Sequence, residues 1–335
     1  MVDNGKYRIV FTHVCIVKFI TNLRRNTIVK TIVNCDEFKQ YVAYVYNLDD
    51  IEKYSKEELK KMPCLEINIK YFEGTITIDI TNSLRKWFFG RKQMRNFSLT
   101  TFKECLKLLS KKLSVEYQYL LNARITILEV GVNLRLDKSF QTCIITATEH
   151  KRLGDVAFYK KGTVAFEGEN LKLIFYNKLL ELYDMTDMKL STFKKISEIF
   201  FFLRIEVIFK KVSGVKFAKN NCSTVNDLIC NWEAIYDYCI SQVGDVTFVD
   251  WISPKIVDEI KINSDSEFYK WLDFSGIDSM GFNKVLYVAN DVFNRPSVHK
   301  KRLKETTEKY RRLKNPSFES LILEKLKDAK KYILS

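Results

Sequence analysis

Thr126-Ile127-Leu128-Glu129-Val130-Gly131-Val132-Asn133-Leu134 is the stretch whose pattern decides the fold. Leu128, Val130, Val132 and Leu134 alternate with Glu129, Gly131 and Asn133. A period of two sends the first set to one face of a strand and the second to the other. The apolar face belongs on a core. The polar face carries a carboxylate and a glycine, and a glycine within a strand leaves room for something to approach the backbone closely.

Two further segments share the pattern. In Phe202-Leu203-Arg204-Ile205-Glu206-Val207-Ile208-Phe209, the residues Leu203, Ile205, Val207 and Phe209 face the core, and Arg204 and Glu206 point together to the other side. In Lys172-Leu173-Ile174-Phe175-Tyr176-Asn177-Lys178, Leu173 and Phe175 face inward, opposite Lys172, Tyr176 and Lys178. If the three strands share a sheet, one face gathers Glu129, Arg204, Glu206, Tyr176 and Lys178. Two carboxylates suit a hard divalent cation such as Mg²⁺. The cation polarises a phosphodiester, Lys or Arg offsets its charge, and a tyrosine hydroxyl serves as nucleophile. The same residues also fit a solvated sheet face. The chain has 17 tyrosines, and an Arg and a Glu two apart on a strand are commonly a surface ion pair worth little.

Outward from these strands, Val2 to Phe19 and Cys64 to Ile80 are rich in β-branched and aromatic residues, with a hairpin turn at Gly74. Ser98 to Leu113 reads as a helix, N-capped by Ser98, with Leu99, Phe102, Leu106, Leu109 and Leu113 on one stripe. After residue 211 the segments Val225 to Ser241 and Ser266 to Phe274 are helix-like and aromatic. From Arg295 to Ser335 there are thirteen Lys or Arg against five Asp or Glu. The expected fold class is α+β. A mainly antiparallel sheet with packed helices forms a catalytic domain over 1–215, followed by a smaller helical domain over 216–335, with the break near 212–222. Lys300, Lys301, Arg302, Arg311 and Arg312 crowd around Tyr310 in the tail. That mixture of cations and an aromatic suits DNA, and a solvated helix face is the plainer alternative.

The composition is that of a folded protein, 46% hydrophobic and 29% charged over 335 residues. A net charge of +14 and a pI of about 9.2 point to a polyanionic partner, DNA or RNA first. The eight cysteines include no CxxC pair, and the three histidines lie far apart, which argues against a zinc site. His150, next to Glu149, reads as a surface histidine. The N-terminal segment lacks the pattern of a signal peptide, and the apolar run Ile199 to Leu203 is too short to span a bilayer. The expected setting is cytoplasmic, without membrane partners.

Read in order, four segments resemble the replication initiators of the filamentous-phage gene II type and their plasmid and phage relatives, the tyrosine nickases of rolling-circle replication. The family motif Tyr-x-Lys-x-x-Glu-Leu is matched by Tyr176-Asn177-Lys178-Leu179-Leu180-Glu181-Leu182. Its Leu-Arg-aromatic-Glu is matched by Leu203-Arg204-Ile205-Glu206, with Ile for the aromatic. Pro63-Cys64-Leu65-Glu66-Ile67 and Phe89-Gly90 match two upstream segments. The family's acidic Arg-Ile-Asp strand is represented by Leu128-Glu129-Val130, with Glu for Asp and the Arg displaced to Arg124.

The resemblance covers about residues 63–210 and implies an endonuclease and strand transferase. Tyr176 would attack a phosphodiester of single- or double-stranded origin DNA, keep the 5′ phosphate, and release a 3′ hydroxyl for a host polymerase, with a host helicase as a further partner. Glu129 and Glu206 would hold Mg²⁺ or Mn²⁺, and Lys178 would stabilise the phenolate or the transferring phosphate. Arg204 would hold the phosphate or a carboxylate, and Lys172 would join the DNA contacts. A phenol with a pKa near 10 needs such help at neutral pH. The alternatives are a non-enzymatic, sequence-specific DNA-binding replication or regulatory protein, and an RNA-binding protein lacking any usual recognition motif.

Overall fold

The computed structural model describes residues 2–248 apart from 13–18, 21–22, 24–26, 36–37, 49–50, 91–92, 155, 160–161, 213–215 and 218–219, together with 273, 301, 305 and 318–335. Alternating sequence becomes strand as expected. The strands are β1 (Val2–Thr12), β2 (Thr27–Asn34), β3 (Phe38–Tyr46), β4 (Cys64–Phe72), β5 (Thr75–Thr81), β6 (Arg124–Asp137), β7 (Ala147–His150), β8 (Val156–Tyr159), β9 (Thr163–Glu167), β10 (Leu171–Asn177) and β11 (Phe200–Phe209). All but β7 join one ten-stranded sheet in the order β2-β3-β4-β5-β1-β6-β11-β10-β9-β8. Every ladder in it is antiparallel. The fold is α+β.

The order contains a repetition. Outward from the central pair β1–β6, one half runs β5, β4, β3, β2 and the other β11, β10, β9, β8. Two five-stranded halves of matching order therefore meet at β1 and β6. The three strands singled out in the sequence lie side by side in the second half, as β6-β11-β10.

The helices are α1 (Lys56–Lys61), α2 (Leu84–Phe89), α3 (Leu99–Leu113), α4 (Tyr117–Leu121), α5 (Cys143–Thr146), α6 (Lys178–Met185), α7 (Leu190–Ser197), α8 (Val225–Cys230), α9 (Trp232–Gly244) and α10 (Phe318–Leu334). In α3 the Ser98 hydroxyl accepts from the Thr101 amide at 3.2 Å, and the Thr101 hydroxyl accepts from the Ser98 amide at 2.9 Å. Two orphan amides are satisfied reciprocally. The stripe Phe102, Leu106, Leu109 and Leu113 is buried, as its spacing requires.

Beyond residue 211 the described chain forms a two-residue ladder between β12 (Lys216–Phe217) and β13 (Asn220–Asn221), then α8, α9, β14 (Val246–Phe248) and α10. Strand β14 pairs with β7. The Trp232 ring of α9 lies 5.0 Å from Phe102, and Phe248 lies 6.0 Å from Phe175 of the sheet. These elements and the sheet share one apolar core. The end of the basic tail belongs to it. Phe318, Ile322, Leu326 and Ile333 of α10 are buried. The Trp232 indole N–H donates to the Ile333 carbonyl at 3.0 Å, and the Tyr236 hydroxyl donates to that of Leu326 at 2.9 Å. Lys301 is exposed in a helical turn, while Lys300, Arg302, Tyr310, Arg311 and Arg312 lie outside the described residues, as does Ser266 to Phe274 apart from Asp273.

His150 corrects the sequence reading, for it is buried rather than at the surface. Its Nδ1 accepts from the amides of Arg152 (3.1 Å) and Leu153 (3.2 Å). Nε2 therefore carries the proton and donates to the Gln242 carbonyl at 3.1 Å, tying the β7 end to α9. Burial pushes the His150 pKa below its ordinary value. A charged neighbour in sequence, Glu149, gave no sign of this packing.

Candidate active site

Register places the polar residues of β6, β11 and β10 on one open face. Glu206 stands opposite Gly131, Arg204 opposite Asn133, and Ile208 opposite Glu129. Tyr176 stands opposite Arg204 on the other side of β11. The Tyr176 hydroxyl donates to Glu206 Oε1 at 2.8 Å. Arg204 Nε donates to the same oxygen at 3.1 Å, and Arg204 Nη1 donates to Asn133 Oδ1 at 3.2 Å. Asn133 is itself fixed by the segment before α3. Its side-chain amide donates to the Met94 carbonyl at 2.7 Å, and its backbone amide donates to Asn96 Oδ1 at 2.8 Å. A relay of hydrogen bonds thus runs from that loop through Asn133, Arg204 and Glu206 to Tyr176.

Gly131 makes the relay possible. A Cβ there would lie 1.9 Å from Arg204 Nη2 and 2.4 Å from Cζ. The close approach expected at this glycine is made by the guanidinium. Arg204 is fully buried, at 0% exposure. Of the two roles expected for it, holding a carboxylate is the one this geometry serves, and a guanidinium so enclosed does not meet a phosphate at the surface.

The chain leaves the sheet immediately after the tyrosine. Asn177 Oδ1 accepts from the amides of Leu179 (3.0 Å) and Leu180 (3.2 Å) and so caps α6. Lys178 is therefore the first residue of a helix rather than the last of the strand face. It is buried and ion-paired with Glu181, and its ammonium sits 5.7 Å from the Tyr176 ring centroid. Lys178 meets the ring, a cation–π arrangement. Lys86 of α2 approaches Glu181 from the other side at 3.4 Å. Between these walls lies a cleft of about 350 Å³ lined by Glu129, Tyr176, Glu181, Glu206, Lys86 and Thr163 among others.

Burial, and then the charge of Glu206, raise the Tyr176 pKa far above that of a free phenol, with Arg204 opposing. The tyrosine is protonated at rest. Burial lowers the pKa of Lys178, against the pull of Glu181. Burial pushes Glu181 upward, but Lys178 and then Lys86 outweigh it and leave its carboxyl below the usual range. Glu181 thus stands between two lysines.

Among the described residues no three His, Cys, Asp or Glu side chains are grouped to hold a metal ion. Glu129 and Glu206 are diagonal neighbours on the open face and line the same cleft. Two hard oxygen donors fit Mg²⁺ or Mn²⁺, which retain waters and take substrate phosphate as further ligands. The Tyr176 and Arg204 hydrogen bonds to Glu206 both fall on Oε1.

The structure therefore brings together Tyr176, Glu206, Glu129, Arg204 and Lys178, and sets Lys172 apart. Lys172 pairs with Glu167 at 3.3 Å on the far reach of the same face. Sequence reasoning gave no role to Glu181, Lys86, Thr163 or Asn133. Glu181 was visible three residues after Lys178, and Asn133 was on the correct face. Lys86 lies ninety residues upstream of Tyr176, and no periodicity connects them. The chain matches no family model and no curated protein.

Proposed function

We propose that this chain is a metal-assisted tyrosine nickase that opens one DNA strand at a phage or plasmid origin, the reaction of rolling-circle replication initiators. The observation that carries the reading is the 2.8 Å hydrogen bond from the Tyr176 hydroxyl to Glu206, in a cleft on the sheet face they share. The net charge of +14 supplies the attraction to DNA.

The Tyr176 oxygen forms a bond to the phosphorus while the bond from phosphorus to the 3′ oxygen breaks. Glu206 takes the phenol proton as general base. The departing 3′ oxygen takes a proton from water, and the 5′ phosphate stays on Tyr176. Because burial and Glu206 keep the phenol protonated at rest, the proton leaves as the new bond forms. A divalent cation at Glu129 and Glu206 would supply the positive charge that offsets this penalty and the charge on the phosphate. Arg204 and Asn133 fix the carboxylate, and Lys178 holds the ring. The phosphotyrosyl bond conserves the energy of the broken linkage, so the strand can be rejoined without ATP. The 3′ hydroxyl is extended by a host polymerase behind a host helicase.

The test is relaxation of negatively supercoiled plasmid carrying the cognate origin, with Mn²⁺ or Mg²⁺ and with EDTA. The expected result is relaxation that EDTA abolishes and that Glu206→Gln slows about 10²-fold or more, the usual scale for losing a general base. A DNA-binding protein without this chemistry would retard the plasmid and leave it supercoiled, which would refute the proposal.

A further inference from the structure

A second cleft, of about 360 Å³, shares Ser83, Lys86 and Glu181 with the first and continues from it toward Pro63, Asn82 and Met185. Both clefts are near the lower end of the ~300–1,000 Å³ range of ligand sites, a size suited to one nucleotide unit and not to a duplex. The walls of the second differ in character. Pro63, Leu182 and Met185 form an apolar side, and Met185 is 61% exposed. Asn82 and Ser83 form a polar side. Asn82 sits in the left-handed region at φ +81°, and its side chain donates to the Cys64 carbonyl at 3.3 Å. That bond holds the turn presenting Ser83 and α2 to the junction.

Lys86 stands where the clefts meet. Its side chain is 37% exposed, and it pairs with Glu181, 3.4 Å away and already paired with the buried Lys178. Lys86 is the cation that lines both clefts beside Glu181, and a divalent cation at Glu129 and Glu206 would offset those two carboxylates of the first cleft. An exposed thioether beside a proline offers a flat base an apolar contact.

We propose that the two clefts take consecutive nucleotides of single-stranded DNA, with Lys86 holding the phosphate between them and Met185 and Pro63 packing against the second base. This rests on the nickase reading and adds to it the second cleft and the residue that sets the register of the strand. A duplex has no unstacked base to offer the second cleft, so the site acts on melted or extruded DNA.

The test uses full-length protein and Mn²⁺. A randomised single-stranded 40-mer pool is incubated with wild type, and the sequence most readily joined to protein is recovered as the probe. Lys86→Gln should raise the KM for adduct formation on that probe about tenfold with kcat within twofold, and Lys86→Arg should restore most of the loss. In a Tyr176→Phe background, where the probe is bound uncut, Lys86→Gln should flatten the slope of log affinity against log salt by about 0.7, the value of one single-strand phosphate. Met185→Ala should halve the fluorescence change of 2-aminopurine placed one nucleotide from the joined phosphate. An unchanged KM and salt slope, or a loss in kcat alone, would overturn the clamp while leaving the nickase standing. A wild type that joins no member of the pool would overturn both.

Discussion

Replacing Gly131 with alanine adds one methyl and tests the architecture that holds the tyrosine. The new Cβ would lie 1.9 Å from Arg204 Nη2 and 3.0 Å from Nε. A flexible side-chain end normally swings away cheaply. Arg204 cannot, because it is fully buried and hydrogen-bonded to Glu206 and Asn133. Overpacking a closed site costs ~1–3 kcal/mol, and losing one hydrogen bond to a charged group costs ~1.5–3 kcal/mol more. With some relaxation the loss should be at least ~2 kcal/mol, a large part of the ~5–15 kcal/mol of a typical domain. Urea unfolding followed by circular dichroism measures it. The double-mutant cycle with Arg204→Ala isolates the cause, since without the guanidinium the extra methyl has nothing to strike and should cost little. A Gly131→Ala protein within ~0.5 kcal/mol of wild type, or an equal cost in both backgrounds, would show that the methyl does not strike the guanidinium.

Three further expectations follow, two from the packing and one from the charge of the tail. His150 is held neutral, with a pKa below its ordinary 6.5, so the unfolded chain binds its proton first. Its contribution is present in full above about pH 6.5 and is lost as pH falls from there through the folded pKa. Urea midpoints across pH 5–8 should show wild type losing stability on acidification, and His150→Gln should lose less. A chain ending at residue 317 loses the buried Phe318, Ile322, Leu326 and Ile333 of α10. At ~1.5–3 kcal/mol each this is roughly 6–12 kcal/mol, comparable with the whole stability, so the truncated protein should lack a cooperative unfolding transition. Changing Lys300, Lys301, Arg302, Arg311 and Arg312 to Gln together should flatten the salt dependence of duplex binding, by about 0.9 for each phosphate the tail neutralises. An unchanged slope would assign the tail to another partner.

The strands that build the site were legible because each buries one face and exposes the other. Leu128 to Leu134, Leu203 to Phe209 and Leu173 to Phe175 alternate without a break, and their shared face came out as read. Helix α3 was equally clear, since a capping Ser98 precedes a stripe at spacings of three and four. Lys178 was misplaced because alternation has no stop signal of its own. Asn177, whose side chain caps α6, ended the strand one residue before the pattern seemed to. Lys86 and Ser83 reach the cleft through tertiary folding across the whole first half of the sheet, which local pattern does not carry. The matching order of the two halves was likewise hidden, because it resides in strand pairing and not in repeated sequence. The last part of the basic tail read as part of a DNA-contacting segment because Lys and Arg dominate the tail as a whole. Phe318, Ile322, Leu326 and Ile333 nevertheless share one buried face, a spacing visible once charge is set aside.

In the proposed reaction the hydroxyl oxygen of Tyr176 takes the phosphate. Wild-type protein and Tyr176→Phe, each incubated with single-stranded DNA carrying the origin and Mn²⁺, are run on a denaturing gel, and the retarded band is digested for peptide mass. The expected result is a covalent adduct with wild type, its nucleotide mass on the peptide containing Tyr176, and none with the Phe variant. No adduct with wild type, an adduct on a different residue, or a normal adduct from Tyr176→Phe would contradict it.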